Sequence, residues 1–211
     1  MSTSPLVGQM VFTMGLGIVF VHFTFAGAKT FIIKAGPDTG PGYGQASLYS
    51  GVLVTLYEGV YHRLDFGWGV LASVLVLCAV TFYEWARRSI QGYGFSVGLS
   101  GRVPDSVFDG GPYAYVRHPI YLSYIIAFAA IPLAWHGIPA FAVFVVNAAF
   151  YVYLSFDDER SLASSPLAAD YAVYKSRIGR FVPRLRLAHS NPADMPQTNM
   201  PQKPPEPPTG F

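Results

Sequence analysis

The feature that most constrains this chain is a set of long runs that contain no charged residue. Neither Leu6 to Ala28 nor Phe66 to Tyr83 contains an Asp, Glu, Lys or Arg, and the same holds from Ile120 to Phe156. An apolar run of about 18 residues is long enough to cross the hydrocarbon layer of a bilayer as a helix. Only 12% of the 211 residues are charged, against about 25% in ordinary soluble domains. The sequence therefore predicts an integral membrane protein.

The number of spans follows from two further features. The longest run is interrupted from Trp135 to Pro139 by turn-forming residues, which divide it into two helices. A shorter apolar segment, Leu48 to Tyr61, carries Glu58 and would be a further span. We expect an all-α, polytopic membrane protein of about five transmembrane helices with a short helical cytoplasmic C-terminal segment. Ala26 to Ala28 resembles a signal cleavage site, but no basic segment precedes the first run, so a retained helix is favoured.

Basic residues predict the orientation, because short cytoplasmic loops carry an excess of Lys and Arg. With five spans, two basic residues follow the first span, four follow the third and seven follow the fifth. Thirteen of the fourteen then lie on one side, and only Arg63 lies on the other. We expect the N-terminus outside, and the loop before the fourth span and the C-terminus in the cytoplasm. The thirteen are Lys29, Lys34, Arg87, Arg88, Arg102, Arg117, Arg160, Lys175, Arg177, Arg180, Arg184, Arg186 and Lys203.

A short amphipathic helix is expected after the last span. Ser165 and Pro166 fit an N-cap and a first helical residue. Apolar and aromatic residues then recur at helix-face spacing until Gly179 supplies a stop. The helix would lie on the membrane surface or dock on the bundle, and the two interpretations are compatible. The face is formed by Leu167, Tyr171, Tyr174 and Ile178.

Two polar clusters flank the uncharged helical hairpin. One lies from Gly111 to Tyr121, just before the fourth span, and the other from Asp157 to Arg160, just after the fifth. Because a tight hairpin returns the chain to the same face, Arg117 and His118 should meet the carboxylates of the second cluster. Ionisable groups at the membrane boundary cost free energy unless they are paired with an opposite charge, so those that are present often serve a function. They are functional candidates, although Arg117 alone would also fit a topological anchor and His118 a helix cap.

The residues from Gly111 to Tyr121 read Gly-Pro-Tyr-Ala-Tyr-Val-Arg-His-Pro-Ile-Tyr. This run resembles the signature of the isoprenylcysteine carboxyl methyltransferase and phospholipid methyltransferase superfamily. So does Asp158-Glu159-Arg160-Ser161-Leu162, followed by Tyr171, Tyr174 and Arg180-Phe181-Val182-Pro183. The resemblance covers about residues 84 to 186. Two positions depart from the family pattern: Asp158 stands where a glutamate is usual, and Ser123 where a glycine is common.

The resemblance implies a methyltransferase that uses S-adenosylmethionine and a lipophilic acceptor that enters from the bilayer. The cofactor carries an ammonium, a sulfonium and a carboxylate, so that it needs acids and bases nearby. Glu159 and Asp158 would take the ammonium or ribose hydroxyls, and Arg117 would orient a carboxylate. An isoprenylcysteine-like carboxylate, a lipid amine, a thiol or a lipophilic metabolite would each serve as acceptor. The candidate catalytic residues are Arg117 and Glu159, and the candidate cofactor-binding residues are Tyr113, Tyr115, His118, Pro119, Tyr121, Asp158 and Glu159.

This interpretation divides the chain into three parts. Residues 1–86 would form N-terminal transmembrane helices, residues 87–189 a methyltransferase-like catalytic region with the motif loop, helical hairpin and cytoplasmic helix, and residues 190–211 a disordered Pro-rich tail. A membrane NADPH-dependent sterol or enone reductase is an alternative, since that group shares a similar C-terminal arrangement. A non-catalytic membrane protein, such as a transporter or scaffold, is another. The proline in His118-Pro119-Ile120-Tyr121 favours methyl transfer over reduction.

The remaining titratable residues give weaker indications. The net charge of +2 gives no basis for a nucleic-acid partner. The histidines show no metal-ligand spacing, so that no metal is expected. Glu58 is expected to face a cavity or to pair with Arg63. The single cysteine, Cys78, excludes an intrachain disulfide and is expected in the core.

Overall fold

The computed structural model describes residues 4–31, 43–91 and 106–184. Within these ranges the protein is helical, and its only strand-like pairing is an isolated parallel bridge between Val116 and Gly179. The predicted all-α class is confirmed. The Pro-rich tail, residues 190–211, lies outside the described residues. The six α-helices are α1 Ser4–Phe31, α2 Tyr43–Tyr61, α3 Phe66–Ser89, α4 Pro119–Trp135, α5 Ile138–Ala163 and α6 Ala168–Arg177, and a short 3-10 helix spans Gly111–Ala114.

Three helices are long and apolar enough to cross a membrane by length and composition. They contain the spans Leu6–Ala26, Gly67–Ser89 and Ile138–Ala163. Helix α4 is a shorter apolar helix of 17 residues. Large hydrophobic side chains are exposed along α1, α3 and α5, as expected for helices that face lipid. An integral membrane protein is therefore supported.

Helices α1 to α5 form a closed ring of neighbours in the order α1, α2, α5, α4 and α3. Consecutive helices are antiparallel: Gln9 near the start of α1 donates to the carbonyl of Gly59 near the end of α2. Likewise, Trp68 at the start of α3 contacts His136 at the end of α4. The bundle thus has two ends. We call the end with the turns after α2 and α4 the turn end, and the end where α4 begins and α5 finishes the site end.

Local sequence explains where these helices begin and end. Asp65 precedes α3, and its side chain accepts from the backbone N–H of Trp68 at 3.2 Å, an N-cap. Pro119 is the first residue of α4, where its missing N–H has no helical partner to lose. At the other end of α4, His136 adopts a left-handed conformation with φ 53° and its N–H bonds the carbonyl of Pro132. The chain turns there into α5.

Glu58 caps α5 from a different helix. Its Oε1 accepts from the backbone N–H of Ala140 at 3.1 Å, and its Oε2 lies 2.6 Å from His62 Nδ1. The first turn of α5 has no side-chain cap of its own, because it follows Gly137. The predicted pair with Arg63 was wrong, because the N–H groups in the first turn of α5 have no partner within their own helix and one of them takes this carboxylate.

Two further expectations need correction. Cys78 is exposed on α3, not in the core, because an apolar side chain can face lipid as readily as it faces a protein interior. Helix α6 begins at Ala168, three residues after the expected cap. The hydroxyl of Ser165 does accept from the N–H of Leu167 at 3.1 Å, but within a turn that precedes the helix. Both Tyr171 and Tyr174 are buried, so that α6 docks on the bundle through its aromatic face.

Candidate active site

The motif before α4 is held by the segment that follows α6. The backbone N–H of Arg117 donates to the carbonyl of Gly179 at 2.8 Å, and the N–H of His118 donates to the carbonyl of Arg180 at 3.2 Å. Gly111, at the start of the 3-10 helix, has φ 55°, and a Cβ there would clash with the side chain of Ser89. Glycine is therefore required for the loop to approach α3. These main-chain contacts bring together segments some 60 residues apart in sequence.

Glu159 is the centre of the site, and Arg117 is its main partner. Arg117 donates to Oε1 from Nε at 3.1 Å and from Nη2 at 2.8 Å. Its Nη1 donates to the carbonyls of Lys175 and Ile178 at 3.1 and 2.8 Å. Both Arg117 and Glu159 are buried. Arg117 thus ties α5 to the end of α6 and has little donor capacity left for a ligand.

Three more groups surround the same carboxylate. His118 Nε2 lies 3.3 Å from Oε1, which confirms the predicted meeting of the two polar clusters. Lys175 Nζ lies 2.9 Å from Oε2. Arg180 spans the carboxylate, with Nε 2.9 Å from Oε1 and Nη2 2.9 Å from Oε2. Four basic groups favour the ionised form of Glu159, and both of its oxygens are occupied.

The basic groups that contact Glu159 carry more positive charge than this one carboxylate can neutralise. Lys175, Arg117 and Arg180 place two guanidinium groups and one ammonium group around one carboxylate. The side chain of Lys175 is 48% exposed and that of Arg180 21%, whereas Arg117 is buried. The excess positive charge is therefore on the accessible side of the cluster, where it suits an anionic group.

Aromatic rings and a second carboxylate adjoin this cluster. The hydroxyl of Tyr121 donates to Asp158 Oδ2 at 2.8 Å. Its ring stacks on that of His118 with centroids 5.6 Å apart and planes at 5°. The ring of Phe181 lies 5.9 Å from His118, and the guanidinium of Arg180 sits 3.5 Å above the ring of Phe156. Flat apolar faces thus lie beside both acidic and basic groups.

The other predicted site residues lie around the cluster. Tyr113 is buried, and its carbonyl accepts from the Tyr174 hydroxyl at 2.8 Å. Burial raises the pKa of both Tyr113 and Tyr174, so that each phenol stays neutral. Pro119 is buried at the start of α4. Tyr115 is 58% exposed and its ring lies 6.2 Å from that of Trp85, apart from the charged groups.

Sequence reasoning missed the role of two basic residues. The sequence gives Arg180 as part of a motif, and Lys175 only as one of the thirteen basic residues on one side. Both contact Glu159. The position of Arg180 within the second motif was the available signal, whereas nothing in the sequence separates Lys175 from a solvated helix residue. Within the part of the chain that the structure describes, no three His, Cys, Asp or Glu side chains form a group that could hold a metal ion.

Comparison with known proteins gives one family match, and it includes both polar clusters of this site. Residues 68–164 match the family model for phospholipid methyltransferase, which covers nearly all of α3, the motif loop, α4 and all of α5. This family is part of the isoprenylcysteine/phospholipid methyltransferase superfamily, which the motifs of the chain indicated. The match ends before α6, which carries Lys175. No curated protein and no solved structure matches the chain.

Proposed function

We propose that the protein is an S-adenosylmethionine-dependent methyltransferase that acts on a lipophilic acceptor drawn from the bilayer. The observation that carries the proposal is the buried contact of Glu159 with Arg117, His118, Lys175 and Arg180, which joins both family motifs at one end of the bundle. A lipid-facing bundle beside a charged, partly exposed cluster suits a polar methyl donor and an apolar acceptor.

All five bundle helices are proposed to span the membrane. Helices α2 and α4 have 19 and 17 residues, which gives roughly 28 and 26 Å of length. Each runs antiparallel to its chain neighbours between the same two ends as α1, α3 and α5. The basic-residue count then puts the site end and α6 in the cytoplasm and the N-terminus outside.

The charged and aromatic side chains of the site fit the groups of S-adenosylmethionine. Lys175 and Arg180 are cations on the accessible side of the cluster and would hold its carboxylate. Asp158 is half-buried, accepts from Tyr121 and would take the ammonium or the ribose hydroxyls. The stacked rings of His118 and Tyr121 offer flat faces to the nucleoside and to the sulfonium. The remaining lining of the cofactor site would be formed by Tyr113, Tyr115 and Pro119.

Arg117 and Glu159 are assigned a holding role. Since four donors of Arg117 are engaged by Glu159 and two carbonyls, its part is to orient Glu159 and the segment after α6. Glu159 in turn holds Lys175 and Arg180 at the mouth of the site. It could accept from a cofactor ammonium only if one of its own donors moved away.

When bound, S-adenosylmethionine supplies an electrophilic methyl group on a sulfonium. The chain must then align the acceptor atom with that methyl, and such positioning supplies much of the rate in displacement reactions. A carboxylate or thiolate acceptor needs no general base. A primary or secondary amine releases a proton after transfer, and the His118–Glu159 pair would receive it, whereas a tertiary amine releases none.

A binding titration tests the cofactor class. Detergent-solubilised protein should bind S-adenosylhomocysteine and not NADPH, and His118→Ala should weaken that binding. Lys175→Ala should weaken it about tenfold through loss of a charge-assisted contact. Arg184→Ala, which removes a basic residue that does not contact Glu159, is the matched control. Tight NADPH binding without any response to S-adenosylhomocysteine would identify a reductase instead.

Labelled methyl transfer identifies the acceptor. Native membranes containing the protein would be given labelled S-adenosylmethionine and a panel of lipid amines, prenylated thiols and carboxylates, with His118→Ala as the blank. Label in one lipophilic class is the expected result. Cofactor binding without transfer to any member would favour a non-catalytic binding protein.

A further inference from the structure

A closed hydrogen-bond network joins α2 to α5 inside the bundle. Ser47 on α2 contacts both the amide oxygen of Asn147 and, at 2.9 Å, the hydroxyl of Tyr151. Asn147 Nδ2 donates to Ser50 Oγ at 3.1 Å and to the carbonyl of Val143 at 2.8 Å. The hydroxyl of Ser50 donates to the carbonyl of Ser47. With Tyr151 donating to Ser47 and Ser47 donating to Asn147, every hydroxyl and amide hydrogen of the four side chains is used.

This network lies on the same face of α5 as the active-site carboxylate. Asn147, Tyr151, Ser155 and Glu159 are spaced four residues apart and all are buried. The distance along the helix from Tyr151 to Glu159 is about 12 Å. The network is therefore too far from Glu159 for direct contact, and with no donor to spare it is a poor ligand site.

The ring of Tyr151 connects the network to the site. Its centroid lies 5.7 Å from that of Tyr121 and 5.0 Å from that of Tyr124. Tyr121 is the residue that donates to Asp158 and stacks on His118. Ser47 thus holds the hydroxyl of Tyr151, whose ring packs against the ring of Tyr121. Tyr121 in turn orients Asp158.

We propose that Tyr151 is a positioning residue of the methyltransferase site, held by Ser47 and acting through Tyr121 on Asp158. The inference rests on the proposed function and extends it in one respect. Helix α2 lies outside residues 68–164, the part that matches the family model, yet it sets the geometry of the cofactor side. The alternative is that the network only fastens two helices together.

Tyr151→Phe separates these two roles because it keeps the ring and removes only the hydroxyl. We expect it to weaken S-adenosylhomocysteine binding about fivefold, the size of one lost hydrogen bond. Ser47→Ala should do the same, and Ser47→Thr, which keeps the hydroxyl, should restore affinity. Gln9→Met is the matched control. It removes contacts that link α1 to Gly59 and His62 at the turn end, and should lower thermal stability without changing affinity.

A double-mutant cycle then tests the route through Tyr121. If Tyr151 acts through Tyr121, Tyr151→Phe should have no further effect on affinity in a Tyr121→Phe background. Equal effects in both backgrounds, or no effect of Tyr151→Phe in the wild type, would overturn the proposal. Hydrogen–deuterium exchange over residues 111–124 without ligand gives an independent readout. Tyr151→Phe should raise exchange there and Gln9→Met should not, even if the wild type binds no S-adenosylhomocysteine, an outcome that would refute the proposed function instead.

Discussion

The two ends of the bundle each contain a buried glutamate, and the contrast between them indicates what distinguishes a site from a structural contact. At the turn end, Glu58 meets His62 and the N-terminus of α5. At the site end, Glu159 contacts two arginines, a lysine and a histidine, which come from three separate segments. Burial and an ionisable side chain are common to both. Of the two glutamates, only Glu159 has an excess of positive charge on its accessible side among the residues that the structure describes.

The two glutamates also differ in how completely they satisfy the groups around them. The first-turn N–H groups of α5 have no acceptor within their own helix, and Glu58 supplies one, so that little of its hydrogen-bonding capacity remains for a ligand. The bases around Glu159 outnumber the carboxylate, and Lys175 remains 48% exposed. A charged substrate can therefore gain more at the site end than at the turn end. The variants below test that difference, in order of expected effect.

Glu159→Gln should have the largest effect. It leaves Arg117, Arg180 and Lys175 close together without their shared anion, so that the two accessible cations lose the geometry proposed to hold the cofactor. We expect S-adenosylhomocysteine affinity to fall about 100-fold, or roughly 3 kcal/mol. Calorimetric titration of the purified protein measures it. Asp157→Asn, two residues earlier on the same helix, is the control. Affinity within threefold of the wild type would show that the cluster is not the cofactor site.

Arg117→Lys should have the next largest effect. A lysine keeps the charge but cannot reach Glu159 and the carbonyls of Lys175 and Ile178 at once. We expect a loss of about 2 kcal/mol in the free energy of unfolding, measured by denaturant titration in micelles. Arg160→Lys, at an exposed position on α5, should change it little. Identical behaviour of the two variants would contradict the holding role of Arg117.

Glu58→Gln should affect stability and leave binding unchanged. It weakens the cap on α5 and the contact with His62, which should lower the free energy of unfolding by about 1 kcal/mol. The dissociation constant of S-adenosylhomocysteine should stay within twofold of the wild-type value. A tenfold change in that constant would mean that the turn end is coupled to the site and would remove the contrast between the two ends.

Tyr115→Ala should have the smallest effect. The ring is 58% exposed and faces Trp85, away from the charged cluster. We expect S-adenosylhomocysteine affinity to fall less than about threefold, below the value of a full buried hydrogen bond. The variant for comparison is Tyr113→Ala, which removes a buried side chain from the same loop. A tenfold loss with Tyr115→Ala would show that the cofactor reaches the outer edge of the motif loop.

The membrane class and the meeting of the two motifs could be predicted without coordinates. Both depend on local properties of the chain: uncharged runs of sufficient length, and a hairpin that must return Glu159 to the side of His118. The family motifs supplied the reaction class for the same reason, since Arg117, His118 and Tyr121 are close together in sequence. Helix α6 was predicted with an error of two residues at its start, because Ser165 caps a turn instead of the helix.

The sequence by itself determined that this chain is a helical membrane protein with a cofactor-like polar cluster at one end of a hairpin. Only the tertiary structure decided which charges share a partner. Lys175 and Arg180 reach Glu159 because the segment after α6 pairs with the motif loop, and Ser47 reaches Tyr151 across about 100 residues of chain. Such long-range pairs depend on how helices pack, and packing depends on the shapes of many side chains together, which no local pattern encodes.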